Sequence, residues 1–327
     1  MGGPPSPAQR SAAEAASGLT LIASDHRLEW MEDPWDDVAR AGDWLLSLAR
    51  ETRPDVVHLG GYAHAGLPFD APVVVGAHSS VCTWWQAVHG CEAPPSWDRY
   101  RAAVARGLSR ASAVVAPTRA MLDALRAQYG PLGRSVVIPN GADREGAPRR
   151  DREPFILAAG RAWDPAKGFD VLARVAPSLT WPVVVAGSDL HPSGSRRPLA
   201  GVRSVGPLGA SALAGFMDRA AIYALPARYE PFGLSALEAG LAGAALVLGD
   251  VPSLREVWGD AATYVAPGDE PALHEALTKL IASPAARADL AIKARARALR
   301  FSTARMVQST LTLYVSLIAA RKEPSCE

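Results

Sequence analysis

The sequence predicts an α/β protein of two parallel-sheet domains, on three observations. Short β-branched runs alternate with helical stretches along the 327 residues, the pattern of strands joined by crossover helices. Those runs form two series, with a segment rich in charge, Gly and Pro between them. The chain is also long enough to bury two sizeable cores, and 49% hydrophobic with 20% charged residues is the balance of a globular protein.

Residues 56–59, 73–75, 113–115 and 136–138 supply the strands of the first domain. Residues 140–154 are poor in apolar side chains and read as the interdomain linker, with Arg149, Arg150 and Arg152 as a solvated basic cluster. The second series is 155–159, 183–186, 222–225, 245–248 and 263–265. Domains are therefore expected over residues 1–145 and 146–302, with a closing segment at 303–322. In that segment Val307, Leu311, Tyr314, Val315 and Ile318 recur at helical spacing, so 303–320 is expected to be an amphipathic helix.

The run Glu230-Pro-Phe-Gly-Leu-Ser-Ala-Leu-Glu238 is the most informative stretch for chemistry. The strand 222–225 precedes it and 235–242 reads as a helix, so Glu230 falls in a strand-to-helix loop, where parallel sheets meet ligands. Pro231 suits the first helical turn, and Gly233 lets the backbone approach a ligand closely. The amides of Phe232, Gly233 and Leu234 are then expected to face an anion such as a phosphate. Glu238 lies about two turns into the helix, on a face that can return to the same crevice. One carboxylate at the mouth and one behind suits a polyhydroxylated, phosphate-bearing ligand, a nucleotide sugar. Arg161 and Lys167 occupy the loop after the strand 155–159, where two fixed cations offset diphosphate charge without a metal. His78 ends the run 73–77 and can enter the crevice, whereas His58 within its strand reads as core. Trp84, Trp85 and Trp97 read as packing rather than as a sugar-stacking platform. Neither an Asp-x-Asp motif nor a His/Cys/Asp cluster offers a metal site.

Through these residues the chain resembles the family 4 retaining glycosyltransferases of GT-B fold. Their E-x7-E motif matches Glu230 and Glu238, and three further segments match in order: 136–143 at the domain junction, Ala159-Gly-Arg161 with Lys167-Gly168, and Glu238-Ala239 followed by Gly243 and the strand 245–248. The resemblance spans roughly residues 50–320. It implies two Rossmann-like domains facing a cleft, with a C-terminal helix crossing back to the first. The activity it implies is metal-independent, retaining transfer of a sugar from a nucleotide-diphosphate-sugar donor, with no cofactor beyond that co-substrate. Glu230 and His78 are then the catalytic candidates, Glu230 at the donor sugar's hydroxyls and the helix start, His78 near the reacting face. Arg161 and Lys167 take the diphosphate, Glu238 the ribose hydroxyls, and Ser235 a phosphate or ribose contact, beside the donor-site backbone of Phe232, Gly233 and Leu234. Tyr62 and His64 are acceptor-side candidates, for a saccharide, lipid or small molecule. Backbone near Gly187 and at 205–209 is expected at the nucleobase, so UDP, GDP and ADP donors are not separated.

Chains of this family open with a strand, a glycine-rich loop and a helix, whereas Met1-Gly-Gly-Pro-Pro-Ser-Pro7 resembles the loop after a second strand. The missing βα opening would be on the order of 30 to 40 residues. A start codon placed late is preferred to a domain without its first strand, because losing a central parallel strand exposes unpaired ladder groups. Either way, residues 1–17 are expected to be poorly ordered. Two alternatives stay open, a non-hydrolysing sugar-nucleotide epimerase and a catalytically silent nucleotide-sugar-binding protein. A dinucleotide oxidoreductase is disfavoured, since no G-x-G-x-x-G follows a first strand. A net charge of +1 gives no broad field to recruit nucleic acid. No apolar run reaches the roughly 20 residues of a membrane span, which leaves only peripheral membrane contact, and no signal-peptide pattern opens the chain. Cys82, Cys91 and Cys326 lack zinc-like spacing, and their odd number argues against a disulfide framework, which fits a cytoplasmic protein.

Overall fold

The computed structural model of the chain describes residues 5–149 and 151–322. Strands β1 (Val57–Leu59), β2 (Val73–Gly76), β3 (Ala113–Ala116) and β4 (Ser135–Val137) form one sheet in that order. A second sheet holds β5 (Glu153–Ala159), β6 (Val183–Ala186), β7 (Arg203–Gly206), β8 (Ala220–Leu225), β9 (Ala245–Gly249) and β10 (Thr263–Val265), in the order β10-β9-β8-β5-β6-β7. Every pairing in both sheets is parallel. From β5 the chain builds β6 and β7 on one side, then returns to add β8 on the other. The loops that leave β5 and β8 therefore diverge at a topological switch point, which opens a crevice at the strand ends. Arg161 and Lys167 follow β5, and Glu230 follows β8.

Central strands of the second sheet are buried on both faces, which is why they read as unbroken apolar runs: Ile156, Leu157, Ile222, Leu225 and Leu246 are all inaccessible, as are Trp258 and Phe169 from the covering helices. Burial of each such side chain contributes about 1.5–3 kcal/mol, so this core fixes the strand ends that carry the crevice. β7 escaped the sequence reading because Arg203-Ser-Val-Gly206 is a half-exposed edge strand without an apolar run.

Residues 303–322 form one helix, Thr303–Lys322, that lies on the first sheet. Its buried residues are Leu313 and Leu317, packed with Val74, Ala113, Val115 and Ile138. Of the stripe expected to be buried, Tyr314 packs on this sheet and Ile318 is half-buried, but Val307, Leu311 and Val315 are turned outward, at 45%, 54% and 66% exposure. The helix is apolar on two faces, and spacing alone does not choose between them. Leu313→Ala should therefore cost about 2–4 kcal/mol and Leu311→Ala less than about 0.5, read from denaturation midpoints. His58, expected in the core, is exposed on edge strand β1, with Nδ1 2.5 Å from the Tyr314 hydroxyl of this helix.

The opening also departs from expectation. Pro7–Ala15 is a helix, started by a capping box in which Gln9 N donates to Ser6 Oγ at 3.3 Å and Ser6 N donates to Gln9 Oε1 at 2.8 Å. Pro7 at the first helical position and the alanines that follow favour that state without a packed apolar face. Residues 1–4 lie outside the described residues, as do Arg150 and Cys326. Cys82 and Cys91 are free thiols, Cys82 buried and Cys91 exposed.

Arg149 of the interdomain linker is exposed, as expected, but Arg152 is pinned rather than solvated. Arg152 is partly buried and donates to the carbonyls of Ala220 at 2.6 Å and Met217 at 3.1 Å, and to that of Ala242. Burial lowers its guanidinium to about 10. Ala142 N donates to Phe301 O at 3.1 Å and Thr303 N to Asp143 Oδ1 at 3.2 Å, so the outgoing and returning connections cross in contact.

Candidate active site

The loops after β5 and β8 meet through an ion pair. Lys167 Nζ lies 2.6 Å from Glu230 Oε2, and the two side chains are only 14% and 12% exposed. Glu230 Oε1 accepts from Gly233 N at 3.0 Å, and Ser253 Oγ donates to the Glu230 carbonyl. The carboxylate thus caps the start of the helix Leu234–Ala242, one of the places expected to face an anion. The amides of Leu234 and Ser235, further into that first turn, have no protein acceptor among the described residues and still offer an anion two donors. Gly233 is required here: its φ is +89°, and a Cβ would lie 3.1 Å from Leu254 Cδ2. The Phe232 side chain is core, edge-on to Phe301 at 5.6 Å between centroids, so only its backbone can serve a ligand.

Arg161 is 60% exposed and is aimed by Asp164, whose Oδ2 accepts its Nη2 at 2.7 Å. Asp164 is the hub that sequence reasoning missed. Its side chain is 1% exposed, and its Oδ1 accepts from Ala166 N at 3.0 Å and from Trp84 Nε1 at 3.1 Å. The available signal was Asp164-Pro165 at the head of the 3-10 turn Pro165–Lys167, where an Asp side chain caps the backbone two residues on. Ser235 Oγ lies 2.7 Å from the hydroxyl of Tyr223, which also reaches the Ala159 carbonyl at 3.2 Å and so ties the helix start to the end of β5.

Glu238 is half-buried one face away, with no hydrogen-bond partner among the described residues. Burial holds its carboxyl above the usual glutamate value, against a smaller opposing pull from the Arg144 guanidinium. A ligand whose two hydroxyls donate to both oxygens of Glu238 needs the ionised form. Below the raised pKa, binding must expel a proton, so affinity falls on acidification by up to about tenfold per pH unit. Nucleotide affinity should therefore begin to fall at a pH above the ordinary glutamate range, and Glu238→Gln should flatten that profile. Titrations across pH read both. The backbone expected at the base is assembled as well, since Gly187 N at the end of β6 donates to Gly206 O at the end of β7 at 2.8 Å.

The first domain contributes a facing wall. Tyr229, next to Glu230, places its hydroxyl 2.8 Å from Thr83 Oγ1 and 3.2 Å from Ser79 Oγ. Thr118 Oγ1 donates to the Pro231 carbonyl at 3.0 Å, and Glu256 accepts the amides of Arg119 and Ala120 at 2.7 and 2.9 Å. The loop 228–233 is thereby held against first-domain residues 79–83 and 118–121. His78 lies beyond the end of β2, next in sequence to Ser79, and reaches solvent; its Nε2 turns toward Gly76, as does that of His58, and partial burial of its ring lowers it below the usual imidazole value. Tyr62 and His64, expected on the acceptor side, are instead buried. The Tyr62 hydroxyl donates to Ser79 O at 2.8 Å, and His64 Nε2 lies 2.9 Å from Val38 O. The Tyr62 hydroxyl and His64 Nε2 are thus spent inside the first domain. Trp85 and Trp97 pack on the core, as their size suggested, while Trp84 crosses to Asp164.

Two α/β domains with a ligand crevice at the switch point and a returning C-terminal helix define a glycosyltransferase of GT-B architecture. Residues 6–145 match the family model described as Glycosyltransferase Family 4, and 153–283 the model described as Glycosyl transferases group 1. The chain belongs to the family 4 glycosyltransferases. It is similar to a glycogen synthase of Mycobacterium tuberculosis, 28% identical over 96% of this chain and 84% of that protein. A D-inositol 3-phosphate glycosyltransferase of Xylanimonas cellulosilytica is 30% identical over 67% of this chain and 60% of that one. In fold it matches a sucrose-phosphate synthase of Thermosynechococcus elongatus, with TM-score 0.77, 21% identity and coverage of 94% and 82%. Anabaena HepE in complex with UDP-glucose matches with TM-score 0.70, 18% identity and coverage of 87% and 84%. No helix among the described residues is long and apolar enough to cross a membrane.

Proposed function

We propose that this glycosyltransferase binds a nucleotide-diphosphate sugar in the crevice and transfers the sugar with retention and without a metal. The observation that carries this reading is the Lys167–Glu230 pair, joined through its loop to Asp164 and Arg161, beside the unpartnered Glu238. Arg161, Lys167 and the free amides of Leu234 and Ser235 offset the charge that gathers on the diphosphate as the glycosidic bond breaks. Glu238 receives the ribose hydroxyls, and Ser235 a phosphate or ribose oxygen. Glu230 hydrogen-bonds sugar hydroxyls from a position already fixed by Lys167 and the Gly233 amide. A carboxylate so engaged is a poor nucleophile, which supports attack by the acceptor hydroxyl on the face the diphosphate leaves. The new C–O bond forms as the C–O bond to phosphate breaks, and the acceptor's proton passes to the departing phosphate oxygen. His78, one residue before Ser79 and beyond the end of β2, serves the donor sugar from the first-domain side. HepE crystallised with UDP-glucose supports a nucleotide-sugar donor, and the free thiols Cys82 and Cys91 suit a reducing cytoplasm.

Proton NMR of the first-formed product from a panel of α-linked nucleotide sugars tests the reading. An α-linked product formed at the same rate with and without EDTA is expected. A β-linked product, or turnover abolished by EDTA and restored by Mn²⁺, would overturn it.

A further inference from the structure

Behind the Glu230 loop lies a second cavity of about 320 Å³, between the first domain, the second domain and the start of the helix Thr303–Lys322. Arg297, Arg300 and Arg305 line it together with a single carboxylate, Glu256. That carboxylate is already committed, because its two oxygens accept the amides of Arg119 and Ala120 at 2.7 and 2.9 Å. The arginines do not neutralise one another's surroundings either. Arg297 donates to the carbonyls of Val257 at 2.6 Å and Glu256 at 2.9 Å, and Arg305 to that of Arg300 at 3.0 Å, all neutral acceptors. The first two turns of the helix Thr303–Lys322 form one wall through Arg305, Met306 and Ser309, while the amide of Thr303 at its start is taken by Asp143. The remaining walls mix apolar groups, Phe301 and Met306 among them, with the hydroxyl residues Thr118, Ser302 and Ser309.

We propose that this cavity is a binding site for a small phosphorylated metabolite, separate from the donor crevice. Guanidinium groups match the dianionic phosphate in charge and in geometry. The volume suits an organic body of about hexose size, at the small end of ligand pockets. Its walls touch the catalytic loop directly: Thr118 Oγ1 donates to Pro231 O at 3.0 Å, and Phe301 meets Phe232 at 5.6 Å. The binding claim does not depend on the assignment of the donor crevice.

The test is titration calorimetry with inorganic phosphate, a hexose monophosphate and the unphosphorylated hexose, on wild type, Arg300→Gln/Arg305→Gln and Arg161→Ala. Wild type and Arg161→Ala should both bind the hexose monophosphate, and neither should bind the hexose. Arg300→Gln/Arg305→Gln, which keeps the fold because these side chains are exposed, should bind it about tenfold or more weakly while holding nucleotide as wild type does. Inorganic phosphate binding as tightly as the sugar phosphate would reduce the ligand to the phosphate group alone. Binding lost in Arg161→Ala but intact in Arg300→Gln/Arg305→Gln would overturn the proposal and place the phosphate in the donor crevice, and no binding in wild type would overturn it outright.

Discussion

Lys167→Ala should reduce sugar transfer about ten- to a hundredfold and should also destabilise the protein by roughly 3 kcal/mol. The two losses have one origin. Lys167 and Glu230 are 14% and 12% exposed and 2.6 Å apart, so removing the cation strands a carboxylate that neither water nor another side chain neutralises. Lys167→Met with Glu230→Gln removes both charges together, and it should recover most of the stability while leaving transfer as low as in Lys167→Ala. Denaturation midpoints and turnover on the three proteins separate these effects. A double variant no more stable than the single one would show that the pair contributes little to the fold.

Asp164→Ala is expected to be the next most damaging change. Its buried carboxylate accepts from Arg161, Trp84 Nε1 and Ala166 N at 2.7, 3.1 and 3.0 Å. Of the latter two donors, the buried Ala166 amide left unpaired costs about 1–3 kcal/mol and the half-buried Trp84 indole N–H less, and Arg161 loses the partner that aims it. Stability should fall by about 2–4 kcal/mol and donor affinity by about tenfold, measured by denaturation and by nucleotide titration. Asp164→Asn keeps acceptors for the backbone amide and the indole, so it should recover much of the stability and little of the affinity.

The second domain was largely legible in the sequence because its signals are local. Strands β5, β6, β8 and β9 are buried on both faces and spell themselves out as apolar runs, and the loops after β5 and β8 carry their charges within a few residues. What stayed hidden depends on distant partners. Asp164 looks like a turn residue until Trp84, 80 positions away, is seen to donate to it. Tyr62 and His64 look like loop residues after a strand until Ser79 and Val38 absorb their polar atoms. The helix Thr303–Lys322 carries two apolar stripes, and only the first sheet decides that Leu313 and Leu317 go in while Leu311 stays out. The opening failed for the opposite reason: the Ser6 and Gln9 capping box is local, whereas the expectation of disorder rested on what lies upstream.

The central claim is that the crevice between the loops of β5 and β8 holds a nucleoside diphosphate, with Arg161 on the phosphates and Glu238 on the ribose. Calorimetric titration of wild type, Arg161→Ala and Glu238→Ala with a nucleoside and its diphosphate, across uridine, guanosine and adenosine, tests it most directly. For the preferred base, Arg161→Ala should lose about tenfold or more in affinity for the diphosphate and nothing for the nucleoside, whereas Glu238→Ala should weaken both alike. Wild-type affinities in both variants, or no binding of any diphosphate to the wild-type chain, would contradict the account.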